Sequence, residues 1–220
     1  MNRKALTVAA ITAAGLLAAT VTSCSSTNSA SNAVTSEATP AAVPAAGSPY
    51  AYLPKAPTFT LTSTTVTDGK PLPTPELSGI FKVPGGQDRS PQLSWSGFPA
   101  QTKSFVVSMY DPQAPTGSGF WHWIVTDLPA TTTALPENAG TPNSTAIPAG
   151  AFQLDGDGGA PRYIGGAPPA GSGVHNYYIT VTALDIDKSG VTPTTSAAML
   201  GFTIGGHTIA RATIICPTTS

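Results

Sequence analysis

"SFVVSMYDPQAPTGSGFWHWIVTDLP", from Ser104 to Pro129, decides how the chain is read. Ser104–Asp111 is dense in β-branched and aromatic residues, the composition of a buried strand, and "WHWIVTDLP" is a second such run. The residues between them are mostly Pro, Gly, Ser and Thr, which punctuate rather than extend regular structure. Similar segments lie on either side. "FTLTSTTV" alternates Phe59 and Leu61 with threonines, "PQLSWSG" sets Leu93 and Trp95 on one face, and "VHNYYITVTALD" is a long β-prone run. "TSAAMLGF" followed by "GG" predicts a short helix with a glycine stop. "HTIARATIIC" fits either state, because Ile209, Ala212, Thr213 and Cys216 fall at helical spacing while "TIIC" favours a strand. Many strands and few helices predict an all-β fold: two antiparallel sheets in a Greek-key sandwich, with one or two short helices near the C-terminus.

Composition agrees. The 220 residues include 22 glycines and 22 prolines but only 10% charged residues, with a net charge of −1, which suits a turn-rich β domain. No basic stripe accompanies the aromatics, so nucleic acid is not an expected partner.

The N-terminus has a different character. Two basic residues precede the apolar run "ALTVAAITAAGLLAATV", and "VTSC" follows, the pattern of a lipoprotein leader ending before Cys24. Residues 1–23 are expected to be removed as a signal peptide. Cys24 is then lipidated, which anchors the exported chain to the outer face of the cell membrane. Residues 24–57, mostly Ser, Thr, Ala and Pro, form an expected disordered tether, and 58–217 the folded domain. With Cys24 lipidated, Cys216 has no partner and reads as a small buried hydrophobe.

Four side chains stand out for chemistry. Asp111 ends a strand and precedes Pro112, and His122 lies between Trp121 and Trp123. His175 and Tyr177 share a strand face at an offset of two, just after the glycine–proline loop "YIGGAPPAGSG". Each also has an ordinary reading: Asp111 as a turn-starter, His122 as a half-buried residue with one hydrogen bond, and His175 and Tyr177 as strand positions. His207, after "GG", reads as structural.

Taken in order, "SPQLSWSGFPAQTKSFVVSMYDPQAP…WHWIVTDLPA", "YIGGAPPAGSGVHNYYITVTALD" and "AAMLGFTIGGHTIARATI" resemble the phosphatidylethanolamine-binding protein family, in its bacterial Raf-kinase-inhibitor-like branch. The resemblance runs from about Phe59 to Ile215. It implies a small anion pocket lined by Asp111, Gln113 and Pro115 of the DPxAP-like turn, His122, Gly165 or Gly166, Pro169, His175 and Tyr177. The chain departs from the family pattern at Gln113, where relatives carry a second acid. It departs again at Gly166, where proline is common, and at Asn176, where arginine is usual.

Neutral imidazole, a tyrosine hydroxyl and a glycine-rich loop can supply several N–H and O–H donors to a phosphate, carboxylate or phospholipid headgroup. In that reading His122 is a donor flanked by indole walls, and mild acid tightens binding by charging a histidine. The expected function is therefore a non-enzymatic, envelope-anchored small-anion binding protein without cofactor or metal. The alternatives are a protease- or kinase-pathway regulator working by protein contact, and a weak Asp/His hydrolase. No "GxSxG" elbow or "HExxH" motif supports catalysis, and Ser118 and Ser172 sit in glycine-rich loops.

Overall fold

The computed structural model describes residues 47–220; the expected leader, Cys24 and most of the expected tether lie outside the described residues. Among the described residues eight strands form two antiparallel sheets. The smaller joins β1 (Thr60–Thr62), β2 (Leu93–Ser96) and β5 (Ala134–Leu135). The larger runs in the order β6 (Phe152–Gln153), β4 (Phe120–Pro129), β3 (Ser104–Asp111), β7 (His175–Leu184) and β8 (Thr208–Thr218). Leu93 and Trp95 of the small sheet meet Phe105, Val107, Trp123 and Ile179 of the large one in the main core. Trp95 and Phe98 both pack edge-on against Phe105, at ring separations of 5.5 and 4.8 Å.

β3 and β7 are buried on both faces because the large sheet is covered twice. The small sheet covers the inner face. On the outer face α1 (Ala197–Ile204) presses Leu200 and Ile204, one turn apart, onto Val106, Ile124 and Leu184. Ser196 caps that helix by accepting a hydrogen bond from the Met199 N–H at 3.2 Å. No helix among the described residues is long and apolar enough to cross a membrane.

The ambiguous C-terminal segment is a strand, β8. Its burial alternates strictly, with Ala210, Ala212, Ile214, Cys216 and Thr218 inward, and it pairs with β7 from His175↔Thr218 to Leu184↔Thr208. Long-range pairing decided between two local periodicities. Cys216 is buried and unpaired, and burial pushes its thiol up to about 12, so it packs as a hydrophobe rather than a nucleophile. β1 is shorter than its alternating run, because the Ser63 hydroxyl accepts from the N–H groups of Thr65 and Val66 and turns the chain. Tyr50, within the expected tether, instead packs edge-on against Tyr178 and donates to the Thr180 hydroxyl at 2.8 Å.

Candidate functional site

β4 carries an irregularity where the site needs one. Against β3, Met109 pairs with Trp123 and Tyr110 with Trp121, so His122 has no partner and forms a β-bulge. A bulge re-aims the extra side chain. Trp121 and Trp123 therefore face opposite sides of the sheet instead of walling His122 together. Trp123 sits in the inter-sheet core and donates its indole N–H to Gln153 at 2.8 Å, while Trp121 stacks on Tyr110 at 4.3 Å on the outer side. The His122 ring turns to Tyr177, 5.2 Å away, and to Phe120, 4.7 Å away.

The strands bring four of the predicted polar groups to one end of the large sheet. The His175 Nδ1–H donates to Asp111 Oδ2 at 2.6 Å, with both side chains almost fully buried. His175 Nε2 lies 2.8 Å from the Ser172 hydroxyl, which itself donates to the Pro169 carbonyl at 2.6 Å. The Ser172 hydroxyl has one proton to share between His175 Nε2 and that carbonyl, which also accepts the Ser172 N–H at 3.1 Å. The other oxygen of Asp111 accepts the Gln113 N–H at 2.9 Å, and Gln113 Oε1 accepts the Asn176 N–H at 2.9 Å. The Gln113 amide thus ties the Asp111 turn to β7.

His122 has a different role from the expected one. Its Nδ1–H donates to the buried Ile164 carbonyl at 2.9 Å, and its Nε2 is buried without a hydrogen-bond partner among the described residues. The donor is thus already committed, and the free nitrogen is an acceptor. Burial pushes the ring's pKa down to about 4, against the opposing pull of the Ile164 carbonyl and Asp111. Mild acid does not charge it. Tyr177 supplies the complementary group: its oxygen accepts the Ala167 N–H at 3.1 Å, which leaves its own O–H to donate. Burial, then the nearby Asp111, hold that phenol well above its ordinary range, so it remains a donor.

The glycine loop also corrects the expectation. The Gly165 N–H donates to Asp88 Oδ1 at 2.9 Å and the Gly166 N–H to the Glu76 carbonyl at 3.2 Å, so neither is left for a ligand. Their lack of a side chain serves close backbone crossing: a Cβ at Gly165 would lie 2.3 Å from the Leu77 carbonyl carbon. A Cβ at Gly166 would approach the Tyr177 ring at 3.0 Å. Pro115 and Pro169 are exposed; Pro169 acts through its carbonyl, and Pro115 lies in the turn after β3.

Asp88 was not anticipated. It accepts from Gly165 N–H, Ser78 Oγ and Ile80 N–H, all at 2.8–2.9 Å, and so clamps the loop beneath His122 and Tyr177. The signal was an acid just after Gly85-Gly86 in a chain with few charges; the structure adds that Asp88 has a φ of +51°. No three His, Cys, Asp or Glu side chains among the described residues group as metal ligands.

Comparison with known proteins places this arrangement. A family model described as phosphatidylethanolamine-binding protein matches residues 62–218. Among curated relatives, Escherichia coli UPF0098 protein YbhB is 46% identical over 156 residues, 70% of this chain and 96% of that protein. Escherichia coli YbcL is 42% identical over 160 residues, covering 73% and 87%. The crystal structure of YbcL superposes with a TM-score of 0.71 at 41% identity, over 74% of this chain and 98% of that one. LppC of Mycobacterium tuberculosis, whose name marks it as a candidate lipoprotein, is 32% identical over 133 residues, 60% of this chain and 59% of that protein. With the match running through both sheets and every residue of the His122–Tyr177 end, the chain belongs to the phosphatidylethanolamine-binding protein family.

Proposed function

We propose that this protein is a binding protein, not an enzyme, whose ligand is a small oxyacid that carries its own proton: a hydrogen phosphate, a phosphate monoester or a carboxylic acid. The observation that carries this reading is the pairing of one free donor, the Tyr177 O–H, with one free acceptor, His122 Nε2. A P–OH or C–OH group donates to the imidazole while the adjacent oxygen accepts from the phenol. A dianion with no proton of its own would leave His122 Nε2 facing a second acceptor.

Ser172, His175 and Asp111 stand in the order of a catalytic triad, but the Gly165 and Gly166 N–H groups that could hold an oxyanion are already bonded within the fold. That favours binding over hydrolysis. Export and anchoring through acyl chains on Cys24 complete the proposal; the leader sequence and the kinship with LppC support them.

Calorimetric titration of the full chain with phosphoethanolamine and with its diester, glycerophosphoethanolamine, tests the ligand class. The monoester's second pKa is about 6, so it carries the needed proton in mild acid, and a diester never does. The monoester is expected to bind roughly fiftyfold more tightly at pH 6 than at pH 8, following its proton-bearing fraction, and more tightly than the diester at pH 6. Equal affinity for the two, or monoester affinity independent of pH, would overturn the assignment.

A further inference from the structure

The outer face of the large sheet, the side away from His122 and Tyr177, holds a second hollow of about 110 Å³ between α1 and the Tyr50–Pro54 segment. Its floor is apolar, made by Val106 and Ile124 of the sheet and Leu200 and Ile204 of the helix. Its polar edge is made by Thr182 and Arg211, which lie directly opposite each other on β7 and β8. The Arg211 guanidinium packs 4.8 Å over the Tyr50 ring. Among the described residues it has no carboxylate within ion-pair distance, and burial lowers its pKa, the mark of a cation short of solvent and of a counter-charge. An apolar recess with a hydroxyl and an unpaired guanidinium at one edge is complementary to a small amphiphilic anion.

We propose that this hollow is a binding site for a short-chain aliphatic carboxylate. The carboxylate sits on Arg211 and Thr182, and the chain lies on Val106, Ile124, Leu200 and Ile204. The volume sets the chain length. It is smaller than the ~150 Å³ cavity that accepts benzene, so butanoate to hexanoate fits and a membrane-length acyl chain does not. Inorganic phosphate, with nothing to place on the apolar floor, is a poor occupant. This site is independent of the oxyacid reading at His122, and either can fail without the other.

Amide-resolved NMR titration of the full chain with propanoate, butanoate, pentanoate, hexanoate and hexan-1-ol tests it. Affinity is expected to rise about fourfold per added methylene until the hollow is full. The shifting amides should be those of Thr182, Leu200 and Gly201, with Ala167 and Tyr177 unmoved. Arg211→Gln is expected to weaken hexanoate at least tenfold while leaving hexan-1-ol unchanged. Gly201→Leu is the guard against misfolding. A Cβ there meets no neighbour within 4 Å and the change improves helix propensity, yet Gly201 lines the hollow, so the added leucine should abolish hexanoate binding without lowering the melting temperature. No hexanoate binding by the wild type, undiminished binding by Arg211→Gln or Gly201→Leu, or shifts centred on Ala167 and Tyr177 would each overturn the proposal.

Discussion

Asp111→Ala is expected to cost about 3 kcal/mol of folding stability, from losing hydrogen bonds to a buried carboxylate and leaving their donors unsatisfied. The loss has two parts. His175, 1% exposed, would keep a buried N–H with no acceptor, and the Gln113 N–H would lose the oxygen that fixes the turn after β3. For a domain of this size each kcal/mol lowers the melting temperature by roughly 2–4 °C, so a fall on the order of 10 °C should appear in thermal denaturation. The double variant Asp111→Ala/His175→Ala should be distinctly less damaged than the sum of the single changes, because it removes the orphaned donor together with its partner. Additive losses would mean that the two side chains do not act as a pair.

His122 makes the second large contribution, and its sign is opposite to that of a histidine used as an acid-charged anion trap. In the fold the ring is neutral down to about pH 4, whereas in the unfolded chain it takes up a proton at its ordinary 6.5. Acid therefore favours the unfolded chain. The stability that His122 confers is fully present above pH 6.5 and is lost progressively as pH falls towards 4, by about 3 kcal/mol. Asp111 on β3 and Asp157 in the loop after β6 pull in the charging direction, while Tyr177 on β7 stays neutral; burial outweighs them. His122→Asn keeps an N–H for the Ile164 carbonyl but cannot titrate. Urea denaturation at pH 7 and pH 4 should show wild type losing about 3 kcal/mol more than the variant over that interval. Equal losses would place the His122 ring in contact with solvent.

Much of the architecture was legible because β3, β4 and β7 are long and their composition leaves no competing state. Ser104–Asp111 and His175–Leu184 are strands almost to the residue, as read. β5 and β6, at two residues each, are too short to carry a period, and β8 needed its ten-position pairing with β7 to defeat a helical reading of Ile209–Cys216. The site was legible in membership but not in function. Strand alternation and the motif resemblance pointed to Asp111, His122, His175 and Tyr177. What they could not show was which hydrogen each group had already given away. Ile164, a residue with no chemistry of its own, sets the His122 tautomer through its carbonyl, and Asp88, some 77 positions before Gly165, occupies the loop N–H intended for a ligand. Such assignments depend on contacts between distant backbone atoms, to which composition and periodicity are blind.

The central claim is that the buried end of the sheet presents a bare imidazole nitrogen beside a phenolic O–H. Nitrogen-15 NMR of the histidine rings at pH 7 tests it most directly. His122 should show a protonated Nδ1 and an unprotonated Nε2, with only the Nε2 resonance moving towards the hydrogen-bonded range when phosphoethanolamine is added at pH 6. An Nε2 that already carries the proton in the free protein, with Nδ1 bare against the Ile164 carbonyl, would contradict it.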